Sequence, residues 1–214
     1  MPKKIILILL LSCSVFYSQN KIKNIELYDN MVKNGNYIEA IAGYDKIILL
    51  KPKNAVYLYK RGLAKLQSGT NLDGAIKDFS KAIEIKPKYS DAFWGRGMAR
   101  KMKHEYKEAS EDLEKAILLD PNNDDTYISL AEVKYHLTDY TKADFYYSQY
   151  LKNHPNDYET YSDRGFVRME RLYFKEAIED YNKAIDLNPN KQFEDYLDRG
   201  KAKYLIQDYE GAKK

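Results

Sequence analysis

Apolar and polar residues recur along this chain with a helical period, in segments of about 13 residues that come in pairs. Residues 91–103 and 106–118 form one such pair, and in both segments apolar or small side chains return every three or four positions. This spacing places the apolar side chains on one face of a helix. The pattern therefore predicts an all-α protein built from helical hairpins with tight turns.

The hairpins repeat with a period of about 34 residues. Prolines mark the period, at Pro52, Pro87, Pro121, Pro155 and Pro189. Twelve residues before each proline lies an alanine, namely Ala40, Ala75, Ala109, Ala143 and Ala177. Eight residues before each proline lies a large side chain, namely Tyr44, Phe79, Leu113, Tyr147 and Tyr181. Proline cannot continue the hydrogen-bond ladder of a helix, so it should end the second helix of each hairpin. The alanines allow two helices to approach closely, and the large residues fill the space around them.

This combination of residues resembles the tetratricopeptide repeat (TPR), in which large residues, Leu-Gly, Tyr, Ala, Phe and Pro occupy fixed offsets. Residues 176–185 are close to the second helix of that family, and the resemblance covers about residues 21–214. It implies a right-handed α-α solenoid of about five and a half hairpins, because one hairpin alone cannot bury its apolar face. We predict units at residues 21–54, 55–89, 90–123, 124–157, 158–192 and an incomplete unit at 193–214.

The N-terminus has the pattern of a bacterial signal peptide, predicted to span residues 1–18. Basic residues 3 and 4 precede an apolar run at residues 5–11 and a mixed polar stretch. The run is shorter than the roughly 20 residues that span a bilayer. Cleavage after Ser18 is the favoured interpretation, with a periplasmic or secreted product. The alternative is a lipobox ending at Cys13, which would make a membrane lipoprotein.

Composition narrows the functional classes. The chain carries 35 Lys and Arg against 32 Asp and Glu, so its net charge of +3 gives no clustered basic surface for nucleic acid. Cys13 is the only cysteine, which leaves no disulfide or cysteine-ligated zinc in the folded part. The three histidines lack the spacing of a helical metal site, and no phosphate-binding loop occurs. We therefore predict a protein without catalytic activity, metal or cofactor.

Arginine replaces the usual family leucine in four first helices, at Arg61, Arg96, Arg164 and Arg199. The first three belong to units whose second helix carries an aspartate at the matching place, at Asp78, Asp112 and Asp180. The units with Leu27 and Leu130 have Gly43 and Tyr146 there instead. We predict three structural ion pairs within hairpins, because a guanidinium can bind a carboxylate through two hydrogen bonds.

A candidate binding surface follows from the resemblance, since the first helix of each TPR unit lines a concave groove. The positions not used for helix packing form what we call the apolar row: Tyr59, Leu63, Trp94, Met98, Met102, Ile128, Tyr135, Phe166, Met169, Leu197 and Tyr204. A continuous exposed apolar stripe usually marks an interaction site. The alternative is that neighbouring units cover these side chains. Acidic residues beside the row, Asp163 and Glu132 among them, indicate a partner with basic flanks.

The predicted function is a scaffold that binds a peptide or protein segment in the groove. Two alternatives stay open at this point. One is the repeat region of a larger enzyme or signalling protein whose C-terminal part is absent, because residues 211–214 end about two turns into a second helix. The other is a lipid-anchored assembly factor of the envelope. The Lys, Asn and Arg clamp by which one TPR subtype grips C-terminal carboxylates is missing from the corresponding positions.

Overall fold

A computed structural model describes residues 25–189 and 193–207 of the chain. The predicted signal peptide, Cys13 and residues 208–214 lie outside the described residues. Every regular element in the described ranges is a helix: residues 25–33 (α1), Tyr37–Leu50 (α2), Ala55–Ser68 (α3), Leu72–Ile85 (α4), Ser90–Met102 (α5), Tyr106–Leu119 (α6), Asp124–His136 (α7), Tyr140–Asn153 (α8), Tyr158–Glu170 (α9), Phe174–Leu187 (α10) and Phe193–Leu205 (α11). The all-α prediction is confirmed.

Each turn from a first to a second helix contains one residue in the left-handed backbone region. These residues recur with the period of the sequence: Gly35, Gly69, His104, Thr138, Leu172 and Gln207. Backbone hydrogen bonds close each turn, as at Leu172, whose N–H donates to the carbonyl of Met169 at 2.9 Å. Only two of the six positions carry glycine, the residue that adopts this conformation without steric penalty. The other four residues are held there by the hairpin.

Side chains at the helix starts account for several helix boundaries. Asn54 accepts a hydrogen bond from the N–H of Val56 at 3.0 Å, and Asn71 accepts one from Gly74 at 2.9 Å. Such caps satisfy backbone donors that have no partner within the helix. At the other end, the second helix α8 stops at Asn153, two residues before Pro155. The prolines therefore lie where the sequence pattern predicted the second helices to end.

The chain forms two compact units, an N-terminal unit that ends at Ala99 and a C-terminal unit that begins at Arg100. In the N-terminal unit, Phe79 on α4 is fully buried between α3 and α5. A Cβ atom at Gly62 would lie 2.9 Å from the Phe79 ring, and one at Gly95 would lie 2.6 Å from it. Both glycines are therefore required for the close approach of these helices.

The C-terminal unit uses the same packing. Tyr181 on α10 is 1% exposed and lies over Gly165 on α9, where a Cβ atom would be 2.9 Å from the ring. Tyr147 on α8 belongs to a buried cluster with Ala131 on α7 and Val167 on α9. Consecutive helices from α6 to α11 pack against one another. Within each unit the predicted stacking of helical pairs is confirmed, and the exact limits of the repeats stay a prediction.

Candidate partner-binding site

Buried ion pairs connect first and second helices at two of the three predicted places. Arg164 on α9 donates from Nε to Asp180 on α10 at 3.0 Å and from Nη2 at 2.6 Å. In the N-terminal unit, Arg61 donates from Nε to Asp78 at 2.8 Å. Asp78 and Asp180 are each 2% exposed. Burial raises the pKa of Asp180, and the neighbouring arginines Arg164 and Arg168 oppose that rise.

A second cation, one helical turn after each arginine, binds the same aspartates. Lys65 lies 2.7 Å from Asp78, Arg100 donates to Asp112 at 2.7 Å, and Arg168 donates to Asp180 at 2.8 Å. The sequence interpretation missed this partner, although a basic residue follows four positions after the arginine place in five consecutive repeats: Lys65, Arg100, Lys134, Arg168 and Lys203. Asp78 and Asp180 therefore each bind two cations from one helix face.

Lys134 shows what happens where the aspartate is missing. Its own hairpin carries Tyr146 at that place, and the ammonium turns instead to the preceding helix α6. There it donates to Ser110 Oγ at 2.6 Å and lies 2.6 Å from Glu114. The side chain is buried and paired, so Lys134 contributes to packing between hairpins.

The arginines also reach the second helix of the preceding hairpin. Nη1 of Arg61 donates to Asp45 at 2.6 Å. The same bond recurs from Arg96 to Ser80 at 3.1 Å, from Arg164 to Ser148 at 3.0 Å and from Arg199 to Asn182 at 2.8 Å. Each arginine thus joins successive hairpins, which the prediction of a pair within one hairpin did not include. The pairing of Arg96 with Asp112 stays a prediction. These charged residues are structural.

The apolar row is part packing surface and part exposed surface. In the N-terminal unit Tyr59 is half-buried, with its ring 5.9 Å from Phe79 and 5.2 Å from Tyr89. Leu63, Trp94 and Met98 are likewise half-buried. In the C-terminal unit Ile128, Tyr135 and Met169 are half-buried, whereas four members are exposed: Met102, Phe166, Leu197 and Tyr204. Neighbouring side chains therefore cover some members of the row and leave others exposed, and the role of the row in binding stays a prediction.

A cavity of about 600 Å³ lies along α11 beside Leu197, Gly200 and Tyr204. Gly200 occupies the repeat position of Gly165, over which Tyr181 of the next helix packs. The cavity therefore lies where the second helix of a hairpin would pack. Residues 208–214, which would begin that helix, are outside the described ranges. Its size alone does not make this cavity a binding site.

A smaller cavity of about 190 Å³ opens on the row within the C-terminal unit, between α7, α8 and α9. Its lining includes Tyr135, Tyr147, Asp163 and Phe166. The rings of Tyr135 and Phe166 meet edge to face with centroids 5.8 Å apart. Desolvation of the carboxyl group raises the pKa of Asp163 to about 6, and the charge of Glu132 adds to the rise. Asp163 nevertheless keeps an exposed surface, so the cavity combines aromatic walls with an accessible acidic group. We call it the acidic cavity.

An equivalent cavity of about 370 Å³ lies in the N-terminal unit, with Tyr44, Tyr59 and Lys60 in its lining. Lys60 forms an ion pair with Asp29, and the hydroxyl of Tyr44 donates a hydrogen bond to the same carboxylate. That bond and burial raise the pKa of Tyr44, with burial the larger cause. The charges of Asp29 and Lys60 therefore compensate each other, and Lys33 adds a further cation to the lining. We call this the N-terminal cavity.

Residues 91–123 and 169–191 match one family model described as tetratricopeptide repeat, and residues 125–157 match a second model with the same description. Three segments of the chain therefore match tetratricopeptide repeats. No curated protein sequence matches it. Repeats of this kind generally act as non-catalytic scaffolds, and the fold supports a role in protein interaction.

Solved TPR structures share the fold at low sequence identity. PilF of Pseudomonas aeruginosa is 15% identical, with a TM-score of 0.75 over 91% of this chain and 88% of that one. The C-terminal part of a TPR repeat-containing protein from Cytophaga hutchinsonii is 22% identical, with a TM-score of 0.74 over 88% and 75%. YrrB, a TPR protein with an unusual peptide-binding site, is 22% identical, with a TM-score of 0.73 over 79% and 86%. At these identities the likeness concerns the fold alone.

Two further features are absent from residues 25–189 and 193–207. None of the helices there is long and apolar enough to cross a membrane. The same residues hold no group of three or more His, Cys, Asp or Glu side chains that is arranged to bind a metal ion.

Proposed function

We propose that this protein is a scaffold that binds a peptide or protein segment along the apolar row of its first helices. The observation that carries the proposal is the surface around Phe166. This aromatic ring is 40% exposed on α9, beside a cavity that already has two tyrosines in its lining. Exposed aromatic side chains next to a cavity are typical of the anchoring points of protein interfaces.

The negative charge around the row supports a partner that carries basic residues. Acidic side chains flank the C-terminal part of the row at Glu132, Asp163 and Glu170. Complementary charge directs association and fixes orientation more than it adds affinity. A segment with bulky apolar residues next to lysine or arginine fits this surface. That YrrB, which shares the fold, has a peptide-binding site agrees with the proposal.

The signal-peptide pattern supports an exported scaffold. On this proposal an unmodified N-terminus belongs to a periplasmic or secreted protein, and a lipid-modified N-terminus belongs to a membrane lipoprotein. Mass spectrometry of the protein isolated from its native host would distinguish a chain that begins at Gln19 from one that begins at a lipidated Cys13.

Selection from a library of random 12-residue peptides on the full chain tests the binding function. We expect enriched peptides that bind about tenfold more weakly to Phe166→Ala, since a buried aromatic anchor contributes on the order of 1–3 kcal/mol. Phe145→Ala is the matched control, because Phe145 is also exposed, at 55%, but lies on the second helix α8. Circular dichroism verifies that both variants are folded.

Either of two results would contradict the proposal. The first is a failure of the library to yield any peptide that binds the folded chain. The second is an equal loss of affinity in Phe166→Ala and Phe145→Ala, which would place the peptide away from the row.

A further inference from the structure

The acidic cavity and the N-terminal cavity are two copies of one place in the repeat. Lys60 precedes Arg61 by one residue, and Asp163 precedes Arg164 by one. Asp29 follows Leu27 by two residues, and Glu132 follows Leu130 by two. Tyr44 and Tyr147 each lie eight residues before a proline and line the respective cavities. The two cavities therefore occupy matching places in the repeat. They differ in charge, in volume, at about 370 and 190 Å³, and in their apolar walls, where Leu63 of one copy corresponds to Phe166 of the other.

In the N-terminal copy, the chain supplies its own cation. The Lys60 ammonium binds Asp29, and Tyr44 donates to the same carboxylate. In the C-terminal copy an aspartate, Asp163, replaces that lysine beside Glu132. Within the described ranges Asp163 forms no hydrogen bond and no ion pair. The charged residues that shift its pKa are all acidic. The acidic cavity thus lacks the cation that its counterpart contains.

Lys101 is the nearby cation, and it is already engaged. Its ammonium forms an ion pair with Glu132, in which the carboxylate keeps 38% of its side-chain surface exposed. The like charges around Asp163 come from four residues on three segments: Glu132 on α7, Glu159 and Asp157 at the start of α9, and Asp195 on α11. On α8, Tyr147 is the titratable residue that lines the cavity. The potential in the cavity is therefore negative.

The size and walls of the cavity define what would enter it. A volume of about 190 Å³ is below the roughly 300 Å³ at which pockets for whole small-molecule ligands begin. One long side chain fits this scale better than a metabolite does. Lysine and arginine pair an apolar stem with a charged end, so the stem can lie along Phe166 and Val167 while the end meets the carboxylate. The ring of Tyr135 can add a cation–π contact.

We propose that the acidic cavity between α7, α8 and α9 is the subsite for one lysine or arginine side chain of a bound protein segment, with Asp163 as its counter-ion. The subsite rests on the proposed function, because Tyr135 and Phe166 belong to the apolar row. To the scaffold function it adds the residue type of one anchor of the partner, lysine or arginine, and the cavity in which that anchor binds. The incoming cation takes the position that the Lys60 ammonium holds in the other copy.

A titration of the full chain with amino-acid derivatives tests the subsite directly. The probes are Nα-acetyl-arginine amide and Nα-acetyl-lysine amide, and the neutral control is Nα-acetyl-norleucine amide. Nuclear magnetic resonance of the isotope-labelled protein reports which residues respond. We expect saturable shifts at Tyr135, Asp163 and Phe166 with both cationic probes. Norleucine amide should give no saturation at the same concentrations.

Two variants and one change of pH make the test specific. Asp163→Asn removes the counter-ion and should weaken binding about tenfold, as expected for a charge-assisted hydrogen bond. Asp163→Lys recreates the Lys60 arrangement with Glu132 and should abolish binding in a protein that remains fully folded. Because the pKa of Asp163 is about 6, affinity should fall about tenfold between pH 7 and pH 5 as the carboxylate is protonated.

Several outcomes would overturn the subsite. They are shifts scattered over the whole acidic surface without saturation, equal binding of the norleucine probe, and unchanged affinity in Asp163→Asn. The small probes report the cavity alone, whereas the 12-residue peptides report the whole row. Peptide binding without a probe response would therefore remove the subsite and leave the scaffold function. A probe response without peptide binding would contradict the scaffold function and leave a cavity that binds free cations only.

Discussion

Arg164 donates two parallel hydrogen bonds to the carboxylate of Asp180, from Nε at 3.0 Å and from Nη2 at 2.6 Å. The arginine comes from the first helix of a hairpin and the aspartate from the second, so the pair closes the hairpin. Its third contact, from Nη1 to Ser148 at 3.0 Å, ties the same hairpin to the preceding one. One side chain therefore stabilises both its own hairpin and the contact with the preceding hairpin. The effect of a mutation on stability depends on which of its partners remain.

Asp180→Ala should be more damaging than Arg164→Leu. Loss of the aspartate leaves Arg164 and Arg168 without their shared carboxylate, and breaking a buried pair in this way costs about 3–5 kcal/mol. Loss of Arg164 leaves Arg168 still bound to Asp180 at 2.8 Å, so the cost should be smaller. Urea denaturation of both single variants and the double variant measures the free energies of unfolding. Additive losses would show that the two residues do not interact.

Leu172→Gly should stabilise the protein. Leu172 has a φ of 61°, a conformation that is unfavourable for residues with a Cβ atom by about 1–2 kcal/mol, and its side chain is 71% exposed. Glycine relieves that penalty at the expense of a more flexible unfolded state, so we expect a net gain of about 1 kcal/mol or less. Gly69→Leu, at the matching turn, is the reciprocal control and should lose stability. A lower melting temperature of Leu172→Gly would contradict the prediction.

Gly165→Ala should destabilise the α9–α10 hairpin although alanine favours helices. The new methyl group would lie 2.9 Å from Cε1 of Tyr181, a ring that is 1% exposed and has little room to move. Overpacking of this kind costs about 1–3 kcal/mol, against about 1 kcal/mol gained in helix propensity. Combining Gly165→Ala with Tyr181→Leu, the residue type found at Leu113, should recover part of the loss. Thermal unfolding that shows no such coupling would indicate that the ring is not the obstacle.

Asp163→Asn should stabilise the fold at pH 7 but not at pH 4. The pKa of Asp163 is raised to about 6 in the folded protein, from an ordinary value of 3.8. The folded state therefore resists ionisation of this group. The resulting loss in the free energy of unfolding is present above pH 6 and disappears as the pH falls through 6 towards 4. Melting temperatures of the two proteins across this range measure the effect. Glu111→Gln, at an exposed site on α6, serves as the control.

A constant difference in melting temperature between Asp163→Asn and the parent chain from pH 4 to pH 7 would contradict this prediction. It would mean that the carboxyl group of Asp163 titrates in the folded protein as it does in the unfolded chain.

Much of the hairpin structure was predictable because its determinants are local. The helical period, the prolines that end second helices and the alanines at close approaches all act within one or two turns of backbone. The ion pair of Arg164 with Asp180 could also be inferred, because two positions change together across repeats. The second cation at Arg168 was visible in the same comparison, as a basic residue four places after the arginine position.

The sequence by itself determined the elements of this protein: all-helical hairpins, their turns, their period and the apolar row along their first helices. Tertiary structure decided which members of the row are covered, as with Tyr59 against Phe79 and Tyr89, and which stay open, as with Phe166. It also decided that Lys60 neutralises Asp29, whereas Asp163 has no cationic partner among the residues that the structure describes. The physical reason is that exposure and charge compensation depend on side chains about 30 residues apart, which only stacking of successive hairpins brings within contact distance.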